Sequence, residues 1–462
     1  MPTLMFQRGA RQLARSLRVL ALGTGMLFSV AAAVAADVVG EVEFVRGVAF
    51  AQLGAQTPRI MGAGLPLHPG DRLLTSGGAS VILRLEDGTR MTLRPDSDMM
   101  IQDYRFKENA TDNSLVMQLT RGGFRAVTGQ ISKNSPDAAK IVTESATISV
   151  RGTDFDARLC QAECKAESGR VPEKSRANAV QASAKLVSAQ GEIHALEGAG
   201  LRRLVVVGGS VYSGETVETG AGATAVLAFR DESRLTLGAR ARFRVDNYVF
   251  DEQKKEEGRS KLSLLRGSMR TLTGLIGKAD TRNVGFTAPT ATIGIRGTGL
   301  DLDCDALMTA ADGGCSFFTW LGSIEVTQNG QSTSRVLEAG QGLFVSATEV
   351  RPLTAPTLQH LQRPDGVVVD FKQLFSSAPL DDAQQGLFVF VRDGHIEVTT
   401  ERETLHLGRG ETGYAADNGT TVRPLLTPLF MEFDSVLLPG SSNPLLLTVL
   451  NESGIRAANQ CR

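Results

Sequence analysis

The 462-residue sequence is 42% hydrophobic and 21% charged, with a formal net charge of −1. That composition belongs to a folded globular chain, not to a disordered or collagen-like one, and the length allows two or three domains. Beyond the N-terminal segment described next, 45 basic and 50 acidic residues remain, a formal charge of −5, which argues against a nucleic-acid partner.

The first element is an export signal. Arg8, Arg11, Arg15 and Arg18 precede an apolar stretch from Val19 to Val34, and Val34-Ala35-Ala36 offers small residues where a signal peptidase reads. The pattern predicts a signal peptide over 1–36, cut between Ala36 and Asp37, and hence a periplasmic protein. An uncleaved anchor is the alternative, disfavoured by the short apolar run and its small-residue end.

An internal repeat organises the remainder. Residues 67–94 (LHPGDRLLTSGGASVILRLEDGTRMTLR) correspond to 211–238 (VYSGETVETGAGATAVLAFRDESRLTLG). Gly70, Asp87, Arg90 and Tyr104 align with Gly214, Asp231, Arg234 and Tyr248 at an offset of 144. FRAVTGQISK (124–133) then matches MRTLTGLIGK (269–278). The copies close with ATISVRGTDFDARLC, ending at Cys160, and ATIGIRGTGLDLDC, ending at Cys304. Within each copy, Val81, Leu83 and Leu85 before Asp87-Gly88 and Met91 and Leu93 after it, and likewise Ala225, Leu227 and Phe229 before Asp231-Glu232 and Leu235 and Leu237 after it, alternate with their neighbours. Period-two alternation around such pairs predicts strands joined by tight turns, apolar on one face and wet on the other.

A shorter module also repeats. GSIEV, EAGQGLFV and VRPL (322–353) return as GHIEV, GRGETGYA and VRPL (394–425), at an offset of 72 at the start and at the end. The first copy continues the second large repeat, whereas the second copy is expected to stand alone, and the first large repeat is expected to lack this tail. The predicted organisation is a first domain at 37–164, a polar linker at 165–182, a second domain with its tail at 183–353, a connector at 354–385 with a weak helical signal near Thr357–Gln362, and a third partial β module with a C-terminal tail at 386–462. The Leu- and Pro-rich residues 426–462 give little structural signal. No long segment of helical period stands out, so the fold is predicted to be all-β.

Four of the five cysteines form two local pairs, Cys160 with Cys164 and Cys304 with Cys315. An oxidising compartment favours two short-loop disulfides. Zinc is the rival reading, but the pairs lie in different repeats and neither has a nearby His. Cys461 is left over, either free or available to join two chains.

These pieces together resemble the FecR domain of bacterial envelope proteins: PGDRLLTSGGASVILRLEDGT and SGETVETGAGATAVLAFRDES, then VRGT or IRGT, then the GxIEV tail with its AGQ turn. The order and spacing of the pieces, seen twice, carry the resemblance over most of 38–160 and 183–353. It implies periplasmic, non-catalytic β domains, expected to form short right-handed β-helix or solenoid-like units, with a β-sandwich or β-roll as the alternative. The family relays occupancy of an outer-membrane siderophore transporter to a cytoplasmic sigma factor. Here a short export signal stands where a relay has a cytoplasmic segment, and the domain is doubled, so fold, compartment and a binding role carry over while the regulatory partner does not.

Candidate site residues are few. Arg151 and Arg296 of the two RGT phrases are binding candidates, because an Arg can clamp a carboxylate or phosphate. The structural alternative makes the Gly a corner and pairs the Arg with an acid such as Asp154 or Asp301. Gly70-Asp71 and Gly214-Glu215, with Asp87 and Asp231, offer too few oxygens for calcium and read as turns. His395, Glu397 and His406 are the one metal-like cluster, set against the alternative of a solvent-facing polar strand; the sister module has Ser323 and Glu325 instead. No metal or cofactor is expected. The GxSxG, CxxC and phosphate-loop motifs are absent, and the five His are scattered, so no enzyme activity is expected. The predicted role is an exported protein-binding or signal-sensing module with an envelope protein partner. The alternative is a scaffold associated with peptidoglycan or an outer-membrane complex.

Overall fold

A computed structural model describes residues 37–432 apart from 136, 199, 305–312 and 382–383. The predicted signal peptide, Cys461 and most of the C-terminal tail lie outside the described residues. The fold is all-β, with only short helical segments between strands. Among the described residues there are two 15-stranded sheets with the same strand order. Nearly every ladder is antiparallel; the parallel pairings are Ala139–Val142 with Ser114–Val127 and, in the other copy, Val284–Thr287 with Arg259–Leu272. The expected right-handed β-helix, whose coils would stack in parallel, is therefore not formed. Hairpins joined by tight turns dominate because the D-G and G-D dipeptides reverse the chain between neighbouring strands.

The turns explain why the copies fold alike. Asp87 and Asp231 are fully buried. Asp87 accepts from the Thr89 hydroxyl at 2.9 Å and from Ile131 N at 3.3 Å; Asp231 accepts from the Ser233 hydroxyl at 2.8 Å and from Ile276 N at 3.4 Å. Each carboxylate thus holds the turn and the first N–H groups of a short helix, Gln130–Asn134 or Leu275–Ala279. The aligned tyrosines finish the job: Tyr104 and Tyr248 accept from the backbone N–H of Asp87 and Asp231 at 2.8 and 2.9 Å. Asp71 and Glu215 are likewise structural, buried against Arg59 and Arg203 at 2.6 Å in both copies. None of these acids is left to ligate calcium.

The alternation holds on the core face, and Arg84 and Glu86 opposite it are exposed, but other positions on that second face are buried. Val81, Leu83 and Leu85 are buried, yet so are Ile82, Thr92 and Arg94. Part of the expected wet face is covered by later chain: Arg94 donates to Phe430 O at 2.9 Å, and in the second copy Arg270 donates to Leu358 O and Leu361 O at 3.0 and 2.7 Å. The connector is thus a cover for the second repeat. Its helix lies at Phe371–Phe375, capped by Asp370, and not at 357–362.

The largest departure concerns the tail modules. Gly314–Gln328 pairs along the whole of Ala291–Cys304. In the first copy the equivalent partner of Thr147–Cys160 is Gly386–Thr399, brought back after the entire second repeat. The third module does not stand alone, and the first repeat does not lack its tail. Leu387, Val389, Val391, Ile396, Val398, Leu405 and Leu407 complete the first repeat's core, a contribution on the order of 10 kcal/mol. The second repeat is nested inside the first. The polar linker is consequently ordered: Asn178 is buried, donating to Thr412 O and Pro424 O at 2.8 and 2.7 Å and accepting from Thr412 N at 2.8 Å.

Both predicted disulfides are present, Cys160–Cys164 and Cys304–Cys315. The second joins directly paired residues at the end of the long hairpin.

Candidate functional site

Nesting brings the returning module against the second repeat, and the seam between them holds the chemistry. The RGT phrase supplies the first wall. Gly152 and Gly297 adopt φ of 62° and 64°, and the ladder slips one position there, forming a bulge in each long strand. Thr153 fixes the bulge by donating to His395 O at 2.9 Å, as Thr298 does to Ser323 O at 2.8 Å. Arg151 does not pair with Asp154, which instead binds Arg125 at 2.8 Å; Asp301 is held by Arg270 at 2.8 Å. Arg151 reaches Glu397 on the adjoining returning strand at 3.1 Å and Asp137 of its own repeat at 3.3 Å. Arg296 lies opposite Ser323 in the ladder, and its side chain is outside the described residues.

His395 and Glu397 share one face of the strand Gly386–Thr399, and Glu397 pairs directly with His406 on Thr404–Gly408. The three are therefore brought together as their spacing allowed, but they do not face solvent. His395 is 7% exposed. Its Nε2 and the Nδ1 of His406 each lie 3.8 Å from Glu397 Oε1, beyond hydrogen-bond reach, and the two rings stack with centroids 5.5 Å apart. Both nitrogens of His395 and Nδ1 of His406 are buried without a hydrogen-bond partner. Burial pushes both imidazoles below their usual pKa, His406 to about 3, so both are neutral at pH 7. Burial alone would raise Glu397, but His395, Arg151 and His406 hold its carboxyl below the usual range.

Beside the cluster lies a network that the sequence did not announce. Lys185 is fully buried; its Nζ donates to Glu411 at 3.2 Å and to His406 O at 2.9 Å, and Glu411 also binds Arg423 at 3.0 Å. Burial lowers Lys185 to about 7 despite Glu411. The signal was there in the repeat alignment: Lys185 replaces Glu41 at the 144 offset, and Glu411 replaces Gln341 of the sister tail. Gly208 matters for the same seam, since at φ +83° a Cβ there would overlap the His406 ring, whereas its counterpart Gly64 faces open space.

His395 and Arg151 open onto a cleft of about 640 Å³ between the repeats, of the size small ligands occupy. Lys133, Arg202, Arg392 and Arg409 add positive charge, and Leu201 and Leu204 give an apolar side. The arrangement suits a polar or anionic ligand, with neutral imidazoles as donors or ligands. A larger groove of about 890 Å³ runs past the Cys160–Cys164 bridge, but no buried, unpartnered side-chain atom lines it among the described residues.

The FecR protein family matches residues 71–171 and 215–325, two segments that begin one repeat offset apart, so the chain carries FecR domains in tandem. No curated protein matches the chain. Two crystal structures of a candidate anti-sigma factor from Parabacteroides distasonis ATCC 8503 are similar to it at 11% and 12% identity, each with a TM-score of 0.24, covering 30% of this chain and 59% of theirs.

Proposed function

We propose that this chain, with its two FecR domains in tandem, is exported to the periplasm and acts there as a non-catalytic signalling module that binds an envelope protein. The observation that carries the reading is the duplicated FecR unit, matched over both repeats. Two further features support it: the signal-like N-terminus, and the two disulfides, which an oxidising compartment maintains. Nesting adds a physical reason for sensing, because a partner or ligand held at the seam touches both repeats and would favour whichever arrangement of them it binds more tightly.

Cell fractionation followed by mild crosslinking in the periplasm tests this. The expected result is periplasmic protein recovered with one stoichiometric envelope partner. Recovery with cell-wall fragments alone would instead favour the scaffold role, and retention in the cytosol would overturn the reading.

A further inference from the structure

We infer that His395, Glu397 and His406 form a binding site for a divalent transition-metal ion of the zinc type, open on one side to the cleft between the repeats. This does not depend on the signalling role. The donor set is two imidazoles and one carboxylate, which suits zinc, with a fourth position left for water or a ligand. The donor atoms lie within 4.8 Å of one another, and each closest His–Glu pair is at 3.8 Å. Tetrahedral zinc needs donors about 3.3 Å apart, given bonds of about 2.0–2.1 Å. Small side-chain rotations close that difference.

The second observation is the orphaned nitrogens. Burying a polar atom without a partner costs free energy, so buried polar atoms are almost always satisfied. Here three imidazole nitrogens at one spot are buried and unpartnered, and His395 is more than nine-tenths buried. A metal ion accepts one lone pair from each ring, leaving the other nitrogen of each neutral imidazole as an N–H. The backbone also makes room: Gly208, which no side chain could replace without striking His406, sits against the ring. The sister hairpin, which has Ser323 and Val336 at the equivalent ladder positions, has no such cluster, so the site is not a by-product of the shared fold.

The opposing charge is Arg151, which supplies the cation that Glu397 now faces. It has a second carboxylate within reach, Asp137, to which it can turn when a metal takes its place. Lys185 is nearby, but its ammonium is already engaged by Glu411 and the His406 carbonyl. Metal and Arg151 therefore compete for Glu397, and that competition gives the test a sign that nonspecific binding would not reproduce.

The test uses the full mature chain, freed of any affinity-tag histidines. Zn²⁺ is titrated calorimetrically, and Co²⁺ is followed by its visible absorption. The expected result is one ion per chain, a four- or five-coordinate cobalt spectrum displaced by zinc, at least tenfold weaker binding in His406→Gln and Glu397→Gln, and at least fivefold tighter binding in Arg151→Gln. Absence of binding at tens of micromolar Zn²⁺ would overturn the inference. So would affinity unchanged in His406→Gln, or weakened in Arg151→Gln. Should the His or Glu variants misfold, the stoichiometry of the parent chain and the direction of the Arg151→Gln effect decide the matter.

Discussion

The two tail hairpins of this molecule share a sequence phrase and a ladder position but not a history along the chain. Residues 314–353 follow directly on the repeat they complete, whereas 386–422 return to theirs only after the second repeat has intervened. The contiguous tail leaves Val336 half-exposed and carries no buried charge cluster. The returning tail is pressed against the second repeat, and there its His395, Glu411 and Arg423 become buried and its Glu397 and His406 largely enclosed. The same hairpin thus acquires chemistry only where it is enclosed from both sides.

The widest break in that symmetry is a truncation after Asp381. It should leave the second repeat folded and unfold the first, because only the first loses the partner of its strand Thr147–Cys160 and a core contribution on the order of 10 kcal/mol. Limited proteolysis with mass mapping reads this directly; uniform resistance across both repeats would mean that the returning hairpin is an accessory.

A smaller effect, about 3–5 kcal/mol, is expected for Glu411→Ala, which strands Lys185 and Arg423 in the interior. Gln341→Ala in the sister tail, at an exposed position, should change stability little, as compared by urea denaturation. The same network gives a pH signature. Lys185 titrates near 10.5 when exposed and near 7 when folded, so between these values the unfolded chain holds the extra proton and stability rises with pH. Lys185→Met should flatten that rise over pH 7 to about 10, where tyrosine ionisation begins.

The smallest contrast is between the disulfides. Their closed loops span separations of 4 and 11 residues, for which loss should cost about 2 and about 3 kcal/mol respectively. Thermal unfolding of Cys160→Ser/Cys164→Ser and Cys304→Ser/Cys315→Ser chains ranks them; the reverse order would indicate that the Cys160 end pins more than its own loop.

Much of the fold was legible because its cause is local. Asp87-Gly88 and Asp231-Glu232 mark turns, alternating Val81, Leu83 and Leu85 mark a buried face, and closely spaced cysteines can reach each other whatever surrounds them. The spacing of His395, Glu397 and His406 likewise placed them together on one hairpin. The β-helix expectation failed because period two fixes a strand's faces but not its neighbour, and antiparallel or parallel pairing is settled by which strands meet.

The sequence by itself therefore determined the strands, the turns, the duplication and the cysteine pairing, since each depends on residues a few positions apart. Only the tertiary structure decided which repeat the last hairpin completes, and with it the burial of Lys185 against Glu411 and of two neutral imidazoles beside Arg151. Pairing partners 242 positions apart, such as Thr153 and His395, leave no trace in local periodicity. They are selected by the core that the returning strand fills, and that free energy exists only once the last hairpin has returned to the first repeat.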